Sequence, residues 1–97
     1  MDNKKVILVT GASRGIGRAI AKELAIEGNI VIANYKSSDD KAESLRNEVV
    51  KQGKEIEIYK ADVSKRDEVQ RMVDYIVAKY GKIDVLINNA GISEEKL

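Results

Sequence analysis

Eight residues near the amino terminus carry the clearest chemical signal: Thr10-Gly11-Ala12-Ser13-Arg14-Gly15-Ile16-Gly17. They follow the apolar run Val6-Ile7-Leu8-Val9 and open a helical stretch from Gly15 to Glu27. Gly11 permits a tight turn off a strand, Gly15 lets an anion reach the backbone, and Gly17 lets a helix lie close to a sheet. Unpaired N–H groups at a helix start, with the positive end of its dipole, suit a phosphate. The spacing is G-x-x-x-G-x-G rather than G-x-G-x-x-G. Arg18 follows Gly17, so the Lys-Ser/Thr of a triphosphate loop is missing. The alternative is a turn shaped for packing alone. Arg18 itself reads as helix surface.

Three more segments stand where apolar runs end: Asn34-Tyr35-Lys36-Ser37-Ser38, Asp62-Val63, and Asn88-Asn89-Ala90-Gly91. Asp62 taken alone is a polar residue leaving a strand, able to cap the helix after it. Adjacent asparagines suit a turn, because Asn tolerates left-handed backbone.

The elements that would hold these segments alternate in period. Val6 to Val9 and Ile30-Val31-Ile32-Ala33 are short β-branched runs that read as strands buried on both faces. Ile16, Ile20 and Leu24 recur every four residues with Ala19, Ala21 and Ala25 between them, and Gly28 suits a helix stop. Ser38-Asp39-Asp40 opens a second helix with Ala42, Leu45 and Val49 on its core face, closed by Gly53. Ile56, Ile58 and Tyr59 mark a third strand. Ser64 with Asp67 resembles a capping box for a third helix, whose core face would be Val69, Met72, Val73, Ile76, Val77 and Tyr80. Gly81 ends it, and Ile83 to Ile87 reads as a fourth strand. The order βαβαβαβ implies an α/β fold, a doubly wound parallel sheet with strand order 3-2-1-4. Two helices would cover one face and the third the other. In such sheets ligands bind beyond the carboxyl ends of the strands, where every segment above lies.

Composition narrows the function classes. The length, 97 residues, suits one domain, and 43% hydrophobic with 34% charged residues predicts a soluble globular chain. Seventeen Lys+Arg against sixteen Asp+Glu leave a net charge of +1, which makes no electrostatic case for nucleic acid or an anionic membrane. Without Cys or His, no disulfide, zinc site, thiol or imidazole catalyst is expected. No apolar run has the length of a signal peptide core or a spanning helix, so a cytoplasmic location is expected.

Thr10-Gly11-x-x-x-Gly15-x-Gly17 with Asp62-Val63 and Asn88-Asn89-Ala90-Gly91 resembles the short-chain dehydrogenase/reductase family over essentially the whole chain. The wording from Thr10 to Gly17, together with Asn34-Tyr35, is most similar to its 3-oxoacyl-[acyl-carrier-protein] reductases. The resemblance implies a nicotinamide cofactor held by Gly11, Ser13, Arg14, Gly15, Ile16 and Gly17 of the turn. It implies that Asp62 accepts from the adenine amino group while the Val63 main chain meets the ring. Asn89, Ala90 and Gly91 would serve the nicotinamide-side ribose and brace the central strands. NAD-binding folds place an acid near Tyr35 for the ribose 2′-hydroxyl. The segment Tyr35-Lys36-Ser37 has none, whereas Arg14 and Lys36 would attract a 2′-phosphate and Ser37 would donate to it. NADP(H) is therefore the expected cofactor.

The family's catalytic groups, a Ser, a Tyr assisted by a Lys, and a further Asn, come after the Asn-Asn-Ala-Gly segment. The chain ends six residues past Gly91 and holds none of those positions. Tyr75 and Lys79 lie on a helix rather than at strand ends and do not substitute. Residues 1–97 are thus expected to be an NADP(H)-binding amino-terminal half, inactive alone, of an enzyme that reduces a 3-oxoacyl thioester on acyl carrier protein. The fourth strand would be an exposed apolar edge, inviting self-association or a missing carboxyl-terminal half. Other readings are a non-catalytic nucleotide-binding module, a sugar or polyol dehydrogenase fragment, and a half-domain that folds only against a partner. S-adenosylmethionine-dependent methyl transfer is disfavoured by the missing acid.

Overall fold

The computed structural model describes residues 4–90. Seven elements alternate along it: β1 (Val6–Val9), α1 (Gly15–Ile26), β2 (Ile30–Tyr35), α2 (Asp39–Lys51), β3 (Glu57–Lys60), α3 (Arg66–Tyr80) and β4 (Val85–Ile87). All strand pairs are parallel and the sheet order is β3-β2-β1-β4, as the alternation of periods predicts. No helix among the described residues is long and apolar enough to cross a membrane.

β1 is buried along its whole length because both of its faces are covered. On one face Ile7 and Val9 join Val31 and Ala33 of β2 under Ala21 and Ala25 of α1 and Leu45 and Val49 of α2. On the other, Val6, Leu8 and Ile32 meet Met72 and Ile76 of α3. Leu45, Ile32 and Ile76 are fully enclosed, each contributing on the order of 1.5–3 kcal/mol by burial. The start of β4 is set by Asp84. Its carboxylate accepts from the Val6 N–H at 2.7 Å, while its own N–H donates to the Val6 carbonyl at 2.8 Å.

Four local expectations need correction. α1 faces the sheet through Gly17, Ala21 and Ala25, whereas Ile16 is 70% exposed and Ile20 and Leu24 are only partly buried. Small residues win that face because they let the helix approach closely. On α3 the buried residues are Met72 and Ile76, and Val77 is exposed. The Ser64–Asp67 capping box does not form: the helix starts at Arg66 with Lys65 as an N-cap that makes no side-chain bond. Ser64 turns back instead, its N–H and hydroxyl donating to Asp62 Oδ1 at 3.0 and 2.7 Å. β4 is also shorter than expected, and Ile83 packs beside the α3-side core without joining the sheet.

Candidate functional site

The turn from Thr10 to Gly17 sits at the carboxyl end of β1, between the ends of β2 and β4. Asn34, the penultimate residue of β2, is 2% exposed and ties it down. Its carbonyl accepts from the Ala12 N–H at 2.8 Å and its side-chain oxygen from the Gly11 N–H at 3.3 Å. The side-chain amide donates to the Ala61 carbonyl at 3.1 Å, immediately before Asp62. One buried amide therefore links the ends of β2 and β3 to the turn. Its polar atoms are satisfied, and no buried side-chain polar atom among the described residues lacks a partner.

Thr10 performs the same task toward β4. Its hydroxyl oxygen accepts from the N–H groups of Asn89 and Ala90 at 2.9 and 3.1 Å, and the hydroxyl donates to Asn88 Oδ1 at 3.1 Å. The hydroxyl has one proton and two lone pairs, so all of its capacity is used. Asn89 returns the contact by donating its side-chain amide to the Gly11 carbonyl at 3.0 Å. The glycines make this fit possible. A Cβ on Gly11 would lie 2.8 Å from the Ala90 Cα, and one on Gly17 would run into the Gly11 carbonyl oxygen and the Asn89 amide nitrogen. Gly17 thus packs against the turn and Asn89, a closer neighbour than the sheet itself.

The other side of the turn is open. Gly15 has φ +63°, and nothing stands within 4 Å of where its Cβ would be. The helix behind it has no side-chain cap and no acid in its first turn, so its leading N–H groups face that space without a partner among the described residues. Arg14 is extended (φ −156°, ψ 171°), exposed, and forms no ion pair among the described residues. Ser13 and Gly15 line a recess of about 370 Å³ with Arg14, Asp40 and Ser44. A larger recess, about 880 Å³, lies at the amino ends of the strands beside Gly28, Gly53 and Lys79, and no residue of the turn reaches it.

Lys36 and Ser37 are exposed just past β2, and Lys36 likewise forms no ion pair among the described residues. Tyr35 is largely buried and its carbonyl accepts from the Ala61 N–H at 2.9 Å. Burial first, then the Asp39 carboxylate beside it, push its phenol above the ordinary value. Asp62 is held below the usual carboxylate range by the Ser64 hydroxyl and N–H, with Lys36 and Lys65 adding positive charge nearby. Its carboxylate organises its own turn, and both bonds fall on Oδ1. The Val63 side chain packs into the α3-side core. Gly91 lies outside the described residues.

Arg18 departs from the expectation of a helix-surface residue. Its guanidinium donates to the Ser13 carbonyl (3.3 Å), the Lys41 carbonyl (2.8 Å), Ser44 Oγ (3.2 Å) and Glu48 Oε2 (3.0 Å). Those on α2 are 23 to 30 residues away, and no local pattern announces them. Asn34 and Thr10 were also absent from the expected site residues. A polar residue inside or ending a β-branched run was the available signal for both.

The two tyrosines of α3 lie at the opposite end of the sheet from these groups. Tyr75 and Tyr80 donate to the Glu57 carboxylate at the start of β3, Lys79 pairs with it at 3.1 Å, and the Tyr59 ring lies 5.2 Å from that of Tyr75.

Comparison with known proteins agrees with this geometry. The family model described as short chain dehydrogenase matches residues 5–97. The chain is 50% identical over 93 residues to 3-oxoacyl-[acyl-carrier-protein] reductase FabG of Staphylococcus epidermidis, covering 96% of this chain and 38% of that protein. It is 48% identical over 88 residues to 2-dehydro-3-deoxy-D-gluconate 5-dehydrogenase of Formosa agariphila, covering 91% of this chain and 33% of the relative. A metagenomic short-chain oxidoreductase solved in complex with NADP superposes with a TM-score of 0.79 at 36% identity, over 84% of this chain and 37% of that one. The chain thus spans little more than a third of the length of the proteins it matches.

Proposed function

Because the chain belongs to the short-chain dehydrogenase family, we propose that it is the NADP(H)-binding half of a reductase of 3-oxoacyl thioesters carried on acyl carrier protein. The single observation that carries the binding role is the open side of the turn. Uncapped N–H groups, a glycine whose missing Cβ would fill the approach, and Arg14, which forms no ion pair among the described residues, border one space. That donor set fits a pyrophosphate. Arg14 and Lys36 give the nearby 2′-phosphate two cations, with Ser37 as a hydroxyl donor and no acid at Tyr35 to repel it. In this reading Asp62 serves the adenine, and Asn89 and Ala90, braced by Thr10, together with Gly91 serve the nicotinamide-side ribose.

When bound, NADPH supplies the hydride for carbonyl reduction. The chain's own residues bind and orient it, and no tyrosine among the described residues is placed to supply the proton such a reduction needs. Tyr75 and Tyr80 are committed to Glu57 at the opposite end of the sheet, and Tyr35 is buried with a raised value. We therefore expect no turnover by the isolated chain. The similarity to a 3-oxoacyl-[acyl-carrier-protein] reductase favours the thioester substrate and a cytoplasmic setting. The similarity to the Formosa enzyme carries the second reading, a hydroxy sugar acid. A complete enzyme containing this half is expected to oxidise NADPH with an acetoacetyl thioester of acyl carrier protein, and preference for the sugar acid would move the assignment.

Calorimetric titration of the isolated chain tests the binding role. NADPH is expected to saturate, with NADH weaker by about tenfold or more, the effect of one lost charge-assisted contact. Equal affinity would overturn the NADP(H) assignment, and binding of neither would remove cofactor binding from this half on its own.

A further inference from the structure

We infer that Arg18 is a positioning residue for the 2′-phosphate end of the cofactor site, holding the glycine-rich turn and the segment after β2 at a fixed separation. The inference rests on the NADP(H) reading above. One of its nitrogens, Nη1, donates both to the Ser13 carbonyl in the turn and to the Lys41 carbonyl in the first turns of α2. The other, Nη2, donates to Ser44 and Glu48 further along α2. A guanidinium is planar and rigid, so four acceptors on one group fix the turn relative to the helix that Lys36 and Ser37 lead into.

The Ser13 bond is the informative one. A staple between α1 and α2 would need only the Ser44 and Glu48 contacts. By also gripping Ser13, Arg18 orients the peptide that joins Ser13 to Arg14. This peptide bond is trans, so its N–H points opposite to its carbonyl, away from the guanidinium. Arg14, whose own side chain forms no ion pair among the described residues, is thereby set in place.

Arg18 does not act as the phosphate ligand itself. Its charge is met by Glu48 at 3.0 Å, a carboxylate it shares with Lys22 at 3.0 Å. Lys22 first and Arg18 second hold that carboxyl below the usual range, so it stays ionised at neutral pH. A lysine at position 18 would offer a compact ammonium in place of the fork and could not span both sides in the same way.

The test compares NADPH and NADH titrations of the chain carrying Arg18→Met, Arg18→Lys or Glu48→Gln. Arg18→Met is expected to weaken NADPH about tenfold and NADH less than about twofold, as loss of one charge-assisted anchoring contact should. Glu48→Gln, which keeps the Ser13 and Lys41 bonds, should leave the NADPH to NADH ratio near that of the parent chain, and Arg18→Lys should fall between. Equal weakening of both cofactors would reduce Arg18 to a structural staple, and no change would overturn the inference as well. A second readout needs no cofactor and separates this idea from the NADP(H) assignment. In amide NMR spectra of the ligand-free chain, the Arg14 and Gly15 resonances should move in Arg18→Met and Arg18→Lys while those of α3 stay. If they do not move, Arg18 does not hold the turn, whatever the titrations give.

Discussion

At the scale of single residues, the glycine turn divides into a closed and an open side, and the two sides should respond differently to the same methyl group. Gly17→Ala drives a Cβ into the Gly11 carbonyl and the Asn89 amide, both already hydrogen-bonded to each other. We expect a loss of stability of about 1–3 kcal/mol, the usual cost of overpacking, read as a lower denaturant midpoint. Gly15→Ala meets no protein atom within 4 Å. Its stability cost is that of a left-handed backbone, about 1–2 kcal/mol, but the methyl occupies the anion's approach. NADPH affinity should therefore fall further for Gly15→Ala than its stability alone explains. A Gly15→Ala chain with parental affinity would place the pyrophosphate elsewhere. The glycine spacing was legible in the sequence because it is local. The partners were not: Asn89 is 72 positions from Gly17, and nothing in the spacing says that a helix glycine answers to a side chain just past the fourth strand.

At the scale of elements, edge strand β3 is held to α3 through one carboxylate. Glu57 accepts from Tyr75, from Tyr80 at 2.5 Å and from Lys79 at 3.1 Å. Burial is the largest single influence on its pKa and raises it, but the three hydrogen bonds and the Lys79 charge together hold that pKa below the ordinary 4.5. The sign follows from that depression. A carboxyl bound more weakly by protons in the folded state contributes stability that is complete above 4.5 and is lost as pH falls through the lower folded value. Glu57→Gln should lower the melting temperature at pH 7, and the gap from the parent chain should close as pH drops below 4.5. A gap that persists unchanged to pH 2 would show that geometry rather than ionisation matters there. The existence and order of the elements were readable because β-branched runs and helical periods differ in kind. Which face of α1 is buried was not. Periodicity ranks residues by hydrophobicity, and it favoured Ile16, Ile20 and Leu24, while close approach favoured Gly17, Ala21 and Ala25. Spacing alone also does not show where Ser64 points: Asp62, two residues away, takes its donors.

At the scale of the whole molecule, the sheet has two edge strands, β3 and β4, and the β4 edge is the apolar one. Among the described residues β4 pairs with β1 alone. Leu86 lies opposite Leu8, so it shares the face that α3 covers, yet α3 reaches only as far as β1, β2 and β3 through Met72 and Ile76. Leu86 is consequently 58% exposed, and Val85 on the opposite face is 36% exposed, beside backbone groups that pair with no further strand among the described residues. An apolar free edge of that kind pairs with another strand. In the proteins this chain resembles, well over half of the length lies outside the matched segment, which is ample to supply one. We propose that the isolated chain pairs β4 with β4 of a second copy. Sedimentation should then show dimers or larger species growing with concentration. Leu86→Lys, which puts a charge on the edge without touching the turn, should give a monomer that retains NADPH binding. A parent chain that stays monomeric at high concentration would show that the edge is protected by the chain itself. Loss of NADPH binding on conversion to monomer would mean instead that the cofactor site depends on β4 being paired on both sides, because Asn89 and Ala90 follow directly from that strand.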